Sequence, residues 1–187
     1  MSDSRSLSPA DLATTVVFAA FIAVLGLFPG INAGSSGVPI VLQNVGPILA
    51  ACLLGARRGT AATALFLALT AMGLPLLSGG RGGIAPFFGP GGGFLLGWLL
   101  SALVAGLVVA RLKRRSLPVL LLAGVAGAAA DYLVGVPFLG LYTGDLWSAA
   151  VQSLVYVPGD AVKVAGAAVV AATVHRALPN RLAGAAT

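Results

Sequence analysis

Gly93-Phe94-Leu95-Leu96-Gly97-Trp98-Leu99-Leu100-Ser101-Ala102-Leu103-Val104-Ala105-Gly106-Leu107-Val108-Val109-Ala110 carries no charge, and Arg111-Leu112-Lys113-Arg114-Arg115 follows at once. A bilayer core about 30 Å thick needs roughly 20 helical residues to cross it. The stretch therefore reads as a transmembrane helix, and the basic run marks its cytoplasmic end. The rest of the chain agrees. Of 187 residues, 58% are apolar and 9% are charged, and the mean hydropathy is +1.01. Five acids and eleven bases cannot cover a water-soluble globule of this size. So apolar a chain does not remain solvated and disordered either. It is an integral membrane protein, and with apolar runs of this length it is all-α.

Charges, Gly-Pro clusters and basic runs divide the sequence into six crossings of a single membrane domain, 1–187, at about 12–28, 39–56, 60–77, 93–110, 118–137 and 158–174. Proline opens the second at Pro39 and the last at Pro158, a position where its missing N–H is harmless. A second reading of the last segment stays open: 146–174 as one long helix kinked at Pro158. With six crossings, Arg5, Arg57, Arg58, Arg111, Lys113, Arg114, Arg115, Arg176 and Arg181 all fall on one side. Both termini are then cytoplasmic, and the glycine-dense stretch after the third crossing faces outward. Asp3 and Asp11 beside Arg5 make a poor n-region, so the first run is read as a crossing and not as a cleaved signal. Small residues at i,i+4 (Ala19 and Ala23, Gly93 and Gly97, Ala123 and Gly127, Ala161 and Ala165) favour close helix packing.

A net charge of +6 would suit nucleic acid if the bases formed one face with groove-reading motifs. They sit instead in the breaks between apolar runs, so no nucleic-acid partner is expected. The single cysteine, Cys52, excludes an internal disulfide.

Ionisable groups inside hydrocarbon are expensive, which makes them the best pointers to function. Asp160 and Lys163 stand at i,i+3, on one face of the last helix. They form either a self-neutralising ion pair or an acceptor and donor set for a polar ligand such as a cyclic urea or amide. Asp131 lies in the middle of the fifth crossing. Gln43 and Asn44 bring amides into the second, where Pro47 removes the N–H that the Gln43 carbonyl would use. These amides serve helix packing or a ligand. In the outer loop, Leu77-Ser78-Gly79-Gly80-Arg81-Gly82-Gly83-Ile84-Ala85-Pro86-Phe87-Phe88-Gly89-Pro90-Gly91-Gly92-Gly93-Phe94 is too aromatic for an exposed hydrophilic connection. Irregular backbone at this depth lines a cavity or is buried in protein, so the stretch reads as a lid over an outward pocket. Arg81 suits a ligand carboxylate or a lipid headgroup.

There is no P-loop and no HExxH, and one histidine, His175, argues against a zinc site. Ser78, Ser101 and His175 offer no convincing nucleophile–base pair. No catalytic residue, metal or cofactor is expected.

Four segments in order resemble the BioY family, the biotin-specific S components of energy-coupling-factor transporters. They are Val38-Pro39-Ile40-Val41-Leu42-Gln43-Asn44, Gly73-Leu74-Pro75-Leu76-Leu77-Ser78-Gly79-Gly80, Phe88-Gly89-Pro90-Gly91-Gly92-Gly93-Phe94 and Val157-Pro158-Gly159-Asp160-Ala161-Val162-Lys163. The end of the first crossing, Leu25-Gly26-Leu27-Phe28-Pro29-Gly30-Ile31, is similar as well. The resemblance implies a six-helix protein of the prokaryotic inner membrane that binds biotin near its outer face. It also implies a transmembrane coupling subunit and a pair of cytoplasmic ATPases as partners, and leaves open function as a homo-oligomer without them. By resemblance Asp160 and Lys163 belong to the biotin site and the loop position of Arg81 lies at it; Asn44 and Gln43 are expected as further contacts, with Phe94 and Asp131 also among the expected substrate-binding residues. Two features depart from the family. The loop often ends in Gly-Gly-Tyr, in some members followed by arginine, where this chain has Phe94 and Leu95; Arg81 is the candidate replacement for that charge. The small-residue motif of the first helix is displaced, with Ala19 and Ala23 as substitutes.

Overall fold

The structure, a computed structural model, describes residues 8–32 and 36–178. Expectations resting on Asp3, Arg5 and Arg181 lie outside the described residues.

Helix α1 spans Pro9–Leu25. Ser8 caps it, its hydroxyl accepting from the Asp11 N–H at 3.1 Å while the Asp11 carboxylate accepts from the Ser8 N–H at 3.2 Å, a reciprocal capping box. Asp11 also pairs with Arg58 at 2.7 Å, joining the start of α1 to the start of α3. Two short antiparallel strands follow, β1 (Ile31–Asn32) and β2 (Pro39–Ile40). Next come α2 (Val45–Leu54), α3 (Ala56–Ala71), the single turn α4 (Ala85–Phe88) and α5 (Gly92–Leu112). The long α6 (Leu117–Thr143), α7 (Leu146–Ser153), a 3-10 turn (Leu154–Tyr156) and α8 (Val157–Ala177) complete the chain.

All ten residues of α2 are buried, as expected of a helix apolar on every side. It contacts α1, α3, α5, α6 and α8 and is the central strut. The most extensive helix contact is the antiparallel pair α5–α6. Glycines permit it: Gly93 lies against Phe138, Gly97 against Asp131, Gly127 against Ser101 and Ala105, and Gly135 against the Phe94 ring. Backbones that approach this closely gain dispersion contacts in place of the hydrophobic drive that lipid does not supply. Of the expected small pairs, Ala161 and Ala165 are exposed and do not join the packing.

Among the described residues, α5, α6 and the run Leu146–Ala177 are long and apolar enough to cross a membrane, while α1 and α2 are shorter apolar helices. With 21 residues, α5 is about 31 Å long at 1.5 Å per residue.

Several boundaries differ from the expected crossings. The second helix starts at Val45, since Pro39–Ile40 pairs with β1. Pro47 therefore lies in its first turn, where no N–H is needed, and the Gln43 carbonyl accepts from the Gly46 N–H at 3.0 Å. The third ends at Ala71, ahead of Gly73 with φ +110°. The fifth passes through Pro137 and ends at Gly144 with φ +79°. Residues 146–177 form α7, a 3-10 turn and α8 in direct succession, so the approach and the last helix are one helical path. The glycine-dense stretch is only partly folded inward. Phe87 joins the cluster of Ile22, Leu77, Leu95 and Trp98, whereas Ile84 and Phe88 are exposed.

Candidate functional site

Pro158 occupies the first turn of α8 and Asp160 follows it there, where the helix macrodipole favours an anion. Lys163, one turn deeper, meets Asp160 Oδ1 at 2.5 Å. Both are largely buried, and each makes further hydrogen bonds. Asp160 Oδ1 also accepts from Asn44 Nδ2 at 2.9 Å, and Oδ2 accepts from the Tyr132 hydroxyl at 2.7 Å. Lys163 Nζ donates to Asn44 Oδ1 at 2.7 Å and to the Val41 carbonyl at 2.9 Å. The late start of α2 makes the last bond available. Were 39–44 helical, the Val41 carbonyl would be taken by the Val45 N–H, which bonds Leu42 O instead.

The pair forms one wall of a cleft enclosing about 830 Å³ of atom-free space, part of it open to solvent. That is within the size range of small-molecule sites. The lining comes from the segment before α2 (Gly37–Asn44), the loop 77–91, the start of α5 (Phe94, Leu95, Trp98), Asp131 and Tyr132 of α6, and Tyr156, Asp160 and Lys163. Phe94 meets Tyr132 and Tyr156 edge to face, both at 6.0 Å between ring centroids. The Tyr156 hydroxyl bonds Ser36 Oγ at 2.5 Å and the Val38 carbonyl at 3.1 Å, holding the loop before β2 against the aromatic wall.

Arg81 lies on the exposed rim. It is held by a turn in which Leu77 and Arg81 bridge and Gly79 and Gly80 take φ of +79° and +68°, conformations that favour glycine. Arg81 Nε donates to the Ser78 carbonyl at 3.1 Å.

The cleft thus brings together Asp160, Lys163, Asn44, Arg81, Phe94, Asp131 and Gln43, but not in equal roles. Gln43 is fully buried and its amide is committed within the chain: Nε2 donates to the carbonyls of Ile22 at 2.9 Å and Leu76 at 2.8 Å, and Oε1 accepts from the Ser78 N–H at 3.3 Å. It braces the end of α1 against the glycine-dense loop. Asp131 is buried against Gly97, and its Oδ1 has no hydrogen-bond partner. The sequence pattern does not single out Tyr132, Tyr156 or Trp98, which the fold adds to the site. For the two tyrosines the available signal is adjacency, since Tyr132 follows Asp131 and Tyr156 lies two residues before Pro158.

Chemically, the site offers a carboxylate acceptor beside an ammonium donor, aromatic walls, and a guanidinium at the rim. That set suits a compact, largely apolar ring system with a urea- or amide-like edge and a negatively charged arm. His175 lies in the last turn of α8, far along the helix from Asp160, where it is buried and its Nε2 meets the Cys52 carbonyl at 2.9 Å.

A sequence model of the BioY family matches residues 1–180. The chain is 41% identical over 180 residues to the biotin transporter BioY of Rhizobium etli, covering 92% of this chain and 94% of that protein. It is 44% identical over 180 residues to the biotin transporter BioY of Rhodobacter capsulatus, with 89% and 93% covered. Its fold is similar to a crystal structure of the S-component for biotin from an ECF-type ABC transporter. That comparison has a TM-score of 0.85 and 33% identity, and it covers 94% of this chain and 95% of the other.

Proposed function

The chain belongs to the BioY family, and from that premise we propose that it is a biotin-capturing S component, a transport subunit and not an enzyme. The observation that carries the reading is the buried Asp160–Lys163 pair on the wall of an aromatic-lined cleft. A ureido group answers both charges at once, its N–H donating to Asp160 and its C=O accepting from Lys163. The bicyclic ring then lies among Phe94, Trp98, Tyr132 and Tyr156, with the valerate carboxylate directed to Arg81. Asp131 closes the depth of the pocket, Gln43 supports the polar wall from behind, and Asn44 lies beside the pair.

In this reading the protein is a multi-pass component of a prokaryotic inner membrane with six crossings, both termini cytoplasmic and the glycine-dense loop capping the outer side. Support comes from the opposed polarity of the molecule. The cleft is built from the starts of α5 and α8, whereas Arg57, Arg58, Arg111, Lys113, Arg114, Arg115 and Arg176 lie at the other helix ends. The energy for uptake comes from a transmembrane coupling subunit and a pair of cytoplasmic ATPases, the set implied for a member of this family.

Calorimetry on the purified full chain tests the proposal. Biotin is expected to bind saturably, and thiamine and riboflavin not at all. The joint change Asp160→Asn with Lys163→Met is expected to abolish biotin binding while leaving a folded protein. Tight binding of either other vitamin, or undiminished biotin binding by the double variant, overturns it.

A further inference from the structure

Asn44 lays one edge of its carboxamide across the ion pair, N–H on Asp160 Oδ1 at 2.9 Å and C=O on Lys163 Nζ at 2.7 Å. A ureido group has the same edge, an N–H beside a C=O in one conjugated plane. The ammonium has three donors, and Asp160, Asn44 and the Val41 carbonyl accept all three. A ligand carbonyl that docks on Lys163 must therefore take over a donor already in use, and of the three acceptors Asn44 is the one whose edge has the same N–H and C=O pattern as the ligand's.

The local sequence frees Asn44 for this task. It stands at the N-cap of α2 yet makes no capping bond, although asparagine is among the preferred caps. The usual capping donors are missing, because Pro47 has no N–H and the Gly46 N–H goes to the Gln43 carbonyl at 3.0 Å. The side chain is thereby directed to Asp160 and Lys163.

We propose that Asn44 is a built-in stand-in for the ligand: its carboxamide satisfies the buried pair and is displaced when a ureido edge arrives. The proposal rests on the reading that biotin docks its ureido group there. Removing the stand-in leaves a buried charge pair with unmet hydrogen-bonding capacity, which any incoming edge of the same kind then satisfies. Displacement is a common cost for all such ligands, so it weakens each by the same factor and leaves their ratio unchanged.

The test is calorimetry on the full-length Asn44→Ala variant with biotin and with desthiobiotin, which keeps the ureido edge and lacks the sulfur ring. Both are expected to bind more tightly, by on the order of tenfold and by the same factor. Weaker or unchanged binding overturns the proposal, as does a gain for one ligand alone. If the variant fails to fold, a crystal structure of the wild-type chain with biotin decides. The Asn44 carboxamide is expected beyond hydrogen-bond distance of both Asp160 and Lys163, and its persistence on the pair overturns the idea. Absence of biotin binding by the wild-type chain would instead sink the functional reading, and this proposal with it.

Discussion

At the scale of single residues, neighbours in sequence have taken opposite duties. Gln43 faces α1 and the glycine-dense loop, where its amide bonds three backbone groups, while Asn44 faces α8 and its charges. Sequence alone leaves both between packing and binding, because an amide is equally suited to either and only the direction of the side chain decides. Asp160 and Lys163 stand out in the sequence, since ionisable side chains are rare in an apolar segment and these two share one helix face. Tyr132 is not, because one tyrosine in a long helix is ordinary until its hydroxyl meets a carboxylate 28 residues away. Arg81, being exposed, is tempered by solvent. Arg81→Ala is expected to weaken biotin by about three- to tenfold and to leave biotin methyl ester unaffected, as titration of both ligands will reveal. Equal losses for acid and ester would remove Arg81 from the carboxylate.

Among the elements, helix existence is clear from the sequence and helix ends are not. Pro39 is compatible with a helix start, and only its pairing with β1 diverts that segment to extended backbone. The consequence is chemical, since that irregular entry frees the Val41 carbonyl for Lys163. Helix approach is governed by absent side chains. A Cβ on Gly106 would collide with the backbone of Ala56, which cannot rotate away. Gly166, by contrast, has open space around the position of its missing Cβ and an ordinary backbone. Gly106→Val is therefore expected to destabilise the bundle by about 1–3 kcal/mol or more, while Gly166→Ala is neutral or stabilising by up to about 1 kcal/mol. Thermal unfolding of the two variants in the same detergent compares them, and equal midpoints would contradict the packing argument.

The whole molecule is polarised along the helices, with the cleft at one end and the clustered bases at the other. Orientation can be read with thiol chemistry because Cys52 is the sole cysteine and is buried. In a Cys52→Ser background, a membrane-impermeant maleimide is expected to label Thr143→Cys in intact cells and Ser116→Cys only after lysis. Both native residues are exposed, so access is decided by the side of the membrane. The reverse pattern would invert the topology and place the cleft on the cytoplasmic side.

Composition and the spacing of charges suffice to establish a helical membrane protein with an opposite-charge pair near the start of its last helix. Both follow from the cost of charge and of unpaired backbone in hydrocarbon, a penalty that acts wherever the chain enters the bilayer and so is written in local sequence. Which groups converge on that site depends on tertiary structure, because hydrogen bonds act over about 3 Å between atoms more than a hundred residues apart, as with Asn44 and Asp160. The extended entry to α2, the close contact of α5 with α6 and the turn of each side chain set those distances. No local pattern encodes them.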